Sequence, residues 1–197
     1  PMEMKIILLI LGFIAILFIL SQLYFMSSQR NIEQYSFEVL ETYDEIEIRQ
    51  YEASLVTSVQ LSSNDYKKSS SKGFSILAGY IFGGNDKNEK IAMTSPVAMT
   101  LKDTTTMMFL VPKKYSKENL PTPNDASIEF KKMPAKKVAA ISFGGWADDA
   151  KINLYKRKLI AVLESKGIGY TNNFSFLGYN APVEVFNRKN EIIVELE

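Results

Sequence analysis

Three acids crowd one short stretch of the chain, Glu45, Glu47 and Glu52, with Arg49 among them. Carboxylates close to one another and to a guanidinium are the raw material of general acid–base catalysis, in which one group gives a proton and another takes one. Here they alternate with Ile46 and Ile48, so a period of two puts Glu45, Glu47 and Arg49 on the opposite face of a strand. A charged strand face is more often solvated than catalytic, and no enzymatic activity is expected from it. Two absences say more. The chain contains no Cys and no His. Zinc sites of the Cys/His type, thiol nucleophiles, Ser-His-Asp triads and disulfide frameworks are all excluded by inventory, as is lipid attachment through Cys. Lack of Cys leaves the redox compartment open, since such a chain is stable on either side of a membrane.

Charge narrows the partners. With Lys5, Arg30 and Glu3 set aside, basic and acidic residues balance at 21 each. Nucleic-acid binding needs a basic stripe to neutralise phosphates, and none is present. Hydrophobic residues at 46% and charged residues at 23% match an ordinary globular composition, which argues against extensive disorder.

The elements that must position any site begin with an apolar run, Ile6 to Met26, uncharged and with Ser21 and Gln22 as its only clearly polar residues. At about 1.5 Å per residue a helix of this length spans roughly 30 Å, the thickness of a hydrocarbon core. A cleaved leader has a shorter apolar region, about 7–15 residues, ending in a small-x-small site. This run is longer and passes through Leu23, Tyr24, Phe25 and Met26 without such a site, so an uncleaved anchor contacting the lipid bilayer is expected. Residues 1–28 form that anchor, 29–36 a short polar linker and 37–197 the domain. Lys5 on one side and Arg30 on the other give little charge bias, and the usual outcome for a signal anchor puts the domain on the extracytoplasmic side of a single-pass protein.

Beyond the linker, period-two patterning predicts strands at 44–51, 55–61, 90–101, 107–111, 127–132, 138–143, 174–177, 183–186 and 191–196, with 187–190 as the turn of a final hairpin. Phe74, Leu77, Ala78 and Ile81 follow helical spacing and stop at Gly83-Gly84-Asn85. A second helix starts at Asp148 or Asp149, buries Ile152, Tyr155, Leu159, Val162 and Leu163, and ends at Gly167. Strands, helix, strands occur once in 37–111 and again in 127–196, which suggests two related halves of one domain.

Eight short motifs fall in an order that resembles the SOUL haem-binding protein family. They are Ile46-Glu47-Ile48-Arg49, Gly83-Gly84-Asn85, Met93-Thr94-Ser95-Pro96-Val97 and Phe109-Leu110-Val111-Pro112, followed by Pro121-Thr122-Pro123-Asn124-Asp125, Phe143-Gly144-Gly145-Trp146, Gly178-Tyr179-Asn180-Ala181-Pro182 and Asn190-Glu191. The family commonly has two prolines in the late loop, where this chain keeps only Pro182. The resemblance implies an α+β fold: a distorted antiparallel β-barrel of two pseudo-symmetric halves with two packed helices, here preceded by one transmembrane helix. It also implies haem or a related tetrapyrrole in an apolar cleft beside the first domain helix. Carried onto this chain, the cleft takes Phe74, Leu77, Tyr80 and Ile81, closed by Met93 and Tyr179, with Lys72 as the nearest cation for propionates.

Haem iron is ordinarily held by His, Cys, Met or Tyr. Only Met93, Met99, Met107, Met108, Tyr80 and Tyr179 are left near such a cleft, and each Met is more readily a flexible core filler. The resemblance therefore implies weak, reversible binding through apolar contact, without His or Cys ligation. The competing expectation is a non-catalytic interaction module, an accessory subunit of a membrane protein complex that uses the fold without haem.

Overall fold

The computed structural model of the chain describes residues 2–29, 32–62 and 65–197; the anticipated linker at 29–36 therefore lies partly outside the described residues. Helix α1 (Met2–Gln29) opens the chain, and strands β1 (Phe37–Tyr43), β2 (Ile46–Tyr51) and β3 (Ser54–Leu61) lead to α2 (Tyr66–Ile81). Strands β4 (Val97–Thr100), β5 (Thr105–Leu110), β6 (Ile128–Met133) and β7 (Lys136–Gly144) follow, then α3 (Asp149–Lys166), β8 (Tyr170–Gly178) and β9 (Lys189–Leu196).

All nine strands join one antiparallel sheet in the order β1-β2-β7-β9-β8-β4-β5-β3-β6. Its two outer strands, β1 and β6, pair only inward, so the ladder is open where a distorted barrel was expected. With β1 set aside the order is a palindrome. Exchanging β2, β3, β4 and β5 for β6, β7, β8 and β9 reproduces the same sheet read from its other end, with the turning point at the β4–β8 pair. The anticipated two-unit organisation is thus written into the hydrogen bonding, and each unit lends its first strand to the other.

Both domain helices contribute to one apolar layer against the sheet. Leu77, Tyr80 and Ile81 of α2 and Ile152, Leu159 and Leu163 of α3 meet Ile46, Ile48, Met107, Phe109, Ile141 and Ile192. Full burial of an aliphatic side chain contributes about 1.5–3 kcal/mol, so this layer is the main source of stability. The opposite face carries a smaller cluster, with Tyr51, Val56, Met108, Val138, Leu177 and Ile193. Strands buried on both faces read as continuous apolar runs, which is why 138–141 and 192–194 lack alternation.

The helix ends follow local chemistry. Asp65 Oδ1 accepts the Lys68 N–H at 2.9 Å, and Asp148 Oδ1 accepts the Lys151 N–H at 2.7 Å, each satisfying an N–H that has no partner within its helix. Gly167, at φ 66°, closes α3 in the left-handed conformation that glycine adopts without penalty. The Gly83-Gly84-Asn85 motif is structural: Asn85 is 1% exposed, its amide donates to the Tyr80 and Glu89 carbonyls, and its oxygen accepts the Lys87 and Glu89 N–H groups. The inter-half connector is fastened to this turn, with Asn124 N–H on the Gly84 carbonyl at 3.0 Å and Thr122 N–H on Asp86 Oδ1 at 2.7 Å.

Two expected strands are corrected. Residues 90–96 are irregular and only Val97–Thr100 enters the ladder, because Thr94 and Ser95 turn their hydroxyls to the Leu110 and Tyr179 carbonyls. Residues 183–186 form no strand; they belong to a long loop joining β8 directly to β9, so 187–190 is not a hairpin turn.

Helix α1 stands out from the sheet. Its apolar side chains from Met2 to Leu20 are exposed, and the Met2–Tyr24 stretch is long and apolar enough to cross a membrane. Near its end, Gln22 is buried against the β8–β9 loop.

Candidate functional site

A cleft of about 450 Å³ lies between α2, strands β4, β5 and β8, and the β8–β9 loop. The first cause is local sequence on α2. Gly73 sits so close to the sheet that a Cβ would lie 2.9 Å from Leu61 Cδ1 and 3.0 Å from Met107 Sδ, which draws the helix down. Ser70, Ser71 and Ser75 on its flank then leave space that larger side chains would fill. Phe74, Val97, Met99, Met107 and Phe176 supply apolar walls, with Trp146 and Pro182 at the edge. An adjoining hollow of about 190 Å³ shares Phe74 and Val97 and adds Phe82, Met93 and Tyr179. The larger volume falls within the roughly 300–1,000 Å³ usual for ligand clefts.

Cations enter from two sides, Lys67 of α2 and Arg188 of the β8–β9 loop. The Arg188 guanidinium lies over the Trp146 ring at 3.9 Å from its centroid. Its Nη1 donates to the Ala181 carbonyl at 3.0 Å and also to that of Glu184. Its Nε is buried without a hydrogen-bond partner. Burial pulls the guanidinium below its ordinary pKa, partly offset by Tyr66 and Glu184. The half-buried guanidinium places a positive charge in the wall of the cleft, where it favours an anionic group.

Of the residues expected at the cleft, Phe74 lines it, while Met93 and Tyr179 meet Phe74 in the adjoining hollow and not in the cleft itself. Leu77, Tyr80 and Ile81 face the sheet instead, at 0%, 2% and 4% exposure, and belong to the core. Lys72 is exposed on α2, two residues and about 200° round the helix from Phe74. The Tyr80 hydroxyl donates to the Pro121 carbonyl at 2.9 Å and that of Tyr179 to Glu191 Oε2 at 2.6 Å. Burial first, then neighbouring acidic and phenolic groups, push both phenols above their ordinary pKa, so each stays protonated. Met99 and Met107 line the cleft while packed in the core.

Behind the cleft lies a buried ion pair. Arg49 Nη1 and Nη2 donate to the two Glu191 oxygens, both at 2.9 Å, and Arg49 Nε donates to Glu47 at 2.8 Å. Phe37 covers the guanidinium at 4.5 Å. Ser142 Oγ and Lys189 Nζ each reach Glu191 Oε1 at 3.0 Å. Burial alone would raise the Glu191 carboxyl, but Arg49, Tyr179 and Lys189 outweigh it and hold the pKa at about 2. With every lone pair engaged, the bidentate pair recovers the desolvation that makes isolated buried ions costly. Glu191 has no proton to exchange near neutrality, and this group ties β2 to β9 and to the base of the β8–β9 loop. Arg49 is therefore not on a solvated face: period two placed it opposite Ile48 correctly, but that face is covered.

Sequence reasoning missed Arg188 and the burial of Arg49, although a signal exists. Only four of the 23 basic residues are Arg: 30, 49, 157 and 188. In a chain that uses Lys on its surface, Arg marks places where a planar fork must bond or stack.

The fold is an α+β domain with an apolar cleft beside its first domain helix. Residues 32–195 match the SOUL heme-binding protein family, and the chain belongs to that family. Heme-binding protein 1 of Xenopus laevis is 26% identical over 154 residues, covering 74% of this chain and 80% of that protein. Heme-binding protein 2 of Homo sapiens is 28% identical over 155 residues, covering 74% and 75%. Among solved structures, the C-terminal domain of EcmrR superposes with a TM-score of 0.58 at 16% identity, over 83% of this chain and 98% of that one. A hydrolase from Listeria innocua gives 0.54 at 9% identity, over 80% and 94%. At these identities the structural likenesses show the fold alone.

Proposed function

We propose that this chain is a membrane-tethered tetrapyrrole binder that holds haem or a related ring in the α2 cleft by apolar contact, without His or Cys ligation. The observation that carries this is the largely apolar cleft beside α2, with the Arg188 guanidinium stacked on Trp146 in its wall. Phe74, Val97 and Phe176 would hold the ring, and Arg188 and Lys67 would pair with its propionates. Bound iron would bring redox and ligand chemistry of its own; the side chains here exclude water and fix the ring by its acidic edge. Family membership and the names of the two vertebrate relatives support the ligand class.

The tether belongs to the same reading. In it α1 spans the bilayer and the domain sits on the extracytoplasmic side. The Gln22 clamp to Val183 and Val185 supports a retained helix, since a removed leader has no reason to bond to the finished domain. Haemin titrated into the full-length protein in detergent should give a saturable Soret shift. Arg188→Gln should weaken it about tenfold or more, the worth of a charge-assisted hydrogen bond. Absence of a saturable shift in the wild type rejects the reading.

A second reading rests on β1. This outer strand exposes Phe37, Val39 and Leu40 at 38%, 44% and 42%, an apolar edge suited to a partner subunit. Native sizing after mild detergent extraction distinguishes a lone chain from an accessory subunit of a membrane complex.

A further inference from the structure

The β8–β9 loop turns its charges inward and its apolar side chains outward. Glu184 is 2% exposed and accepts the Asn180 amide at 2.6 Å, while Arg188 is drawn over Trp146 and onto loop carbonyls. Val183, Val185 and Phe186 point away from the domain at 53%, 42% and 51% exposure. A loop meant for water has the opposite arrangement, because desolvating charges and hydrating large apolar groups both cost free energy.

Helix α1 supplies an independent observation. Gln22 Nε2 donates to the Val183 carbonyl at 3.2 Å, and Gln22 Oε1 accepts the Val185 N–H at 3.0 Å. Irregular backbone is tolerated at membrane depth only where its polar groups are satisfied within the protein. The buried Gln22 amide satisfies two such groups and is itself satisfied by them. One turn earlier, Phe18 meets Phe186 edge-on with ring centroids 6.4 Å apart. That turn lies about 5–6 Å further along the apolar helix, so Phe186 reaches the level of side chains that nothing in the domain covers.

We propose that the β8–β9 loop is a wedge seated in the bilayer beside α1, and that the cleft receives its ligand from the lipid leaflet. This rests on the reading of α1 as a span and of the α2 cleft as the ligand site. The same loop that carries the wedge also lines the cleft, through Pro182 and Arg188. With Phe186 among the acyl chains, Arg188 and the 55% exposed Trp146 stand at headgroup height, where tryptophan and cationic side chains are favoured. An amphiphilic anion dissolved in the leaflet, its ring in the acyl region and its carboxylates at the surface, then meets the cleft in the orientation the cleft binds. Acyl lipid is the occupant of the outward face because the face is continuous with the uncovered apolar surface of α1.

The absence of Cys makes the test direct. The full chain carrying Leu11→Cys, Phe186→Cys or Lys131→Cys is labelled with an environment-sensitive fluorophore and reconstituted in phosphatidylcholine–phosphatidylglycerol vesicles containing a nitroxide on the acyl chain. Labels at 11 and 186 should be quenched, and the label at exposed Lys131 on β6 should not. Quenching at 11 with position 186 behaving like 131 overturns the wedge and leaves the span standing. No quenching at 11 overturns both. Quenching at 186 that appears only at high protein-to-lipid ratio seats a second copy of the chain there and also overturns the wedge. For loading, the triple variant Val183→Ser, Val185→Ser, Phe186→Ser should take haemin from preloaded vesicles several-fold more slowly than wild type, with unchanged affinity in detergent. Equal transfer rates overturn lipid loading. If wild type binds no haemin in detergent, the cleft reading fails and lipid loading with it, while the quenching result still decides the seating of the loop.

Discussion

The two hollows on either side of the β4–β8 seam are counterparts under the exchange of halves, yet they differ in chemistry. One, beside α2, is apolar with two cations and is roofed by residues 179–188 between β8 and β9. The other, about 710 Å³, lies beside the start of α3 and is bounded by the short β4–β5 connection, residues 101–104. It is lined by Asp65, Lys102, Asp103, Asp149, Lys156 and Asn173, a set that suits water better than a large apolar ring. The larger volume is therefore the poorer candidate. The two-unit framework has a hollow on each side of the β4–β8 pair, and they differ in the length and polarity of the loop that bounds them.

The loop bases differ as well, and breaking them should show it. The β8–β9 loop is held at its root by the buried Arg49–Glu191 pair, with Tyr179 and Lys189 bonded to the same carboxylate. Arg49→Met, which leaves buried Glu191 without its bidentate partner and with Lys189 as its remaining cation, should cost about 3 kcal/mol in urea unfolding. Arg49→Met with Glu191→Leu should recover much of that loss. The pair also sets a pH dependence. Since the folded carboxyl lies at about 2, below its unfolded value, its contribution is full above the ordinary carboxylate range. It is lost as pH falls from about 4.5 toward 2, and Glu191→Gln should flatten unfolding curves over that window.

Next in size are changes that separate the hollows by ligand. Ser71→Phe, on the exposed flank of α2, should fill the apolar cleft and abolish saturable haemin binding. Stability should move by no more than about 0.5 kcal/mol, as for most surface substitutions. Lys102→Gln, in the polar hollow, should leave haemin affinity unchanged, in contrast to Arg188→Gln. The smallest effect belongs to the short loop. Thr100 Oγ1 accepts the Thr106 N–H at 2.9 Å, and Thr100→Ala should cost about 1 kcal/mol or less by thermal unfolding.

Much of this framework was legible in residue order because burial imposes periodicity. Helix α3 was readable from cap to cap, since its stripe, its Asp148 start and its Gly167 stop agree. Helix α2 was visible only from Phe74 onward: Ser69, Ser70 and Ser71 bond readily to local backbone and hide the first turns. Residues 183–186 imitate a strand because Val183 and Val185 do alternate with Glu184, but no neighbouring strand offers a ladder. In the site, Phe74 could be named from helical spacing and Tyr179 from motif position. Arg188 could not, because its place depends on Trp146, 42 residues earlier in the chain, folding beneath it. Arg49 was misjudged for the same reason: whether a strand face is wet depends on partners such as Glu191, 142 residues away.

The Gln22 clamp has a mechanical meaning. A domain joined to a membrane helix by a free connector behaves as a pendulum and samples every tilt. A domain gripped at Val183 and Val185 by the helix itself is a bracket, its tilt constrained among the described residues by the Gln22 hydrogen bonds and the Phe18–Phe186 ring contact. With α1 as the proposed span, the heading of the cleft mouth is then set by the helix and not by the length of chain that follows it. Gln22→Leu would keep the protein at the membrane and let its aim wander.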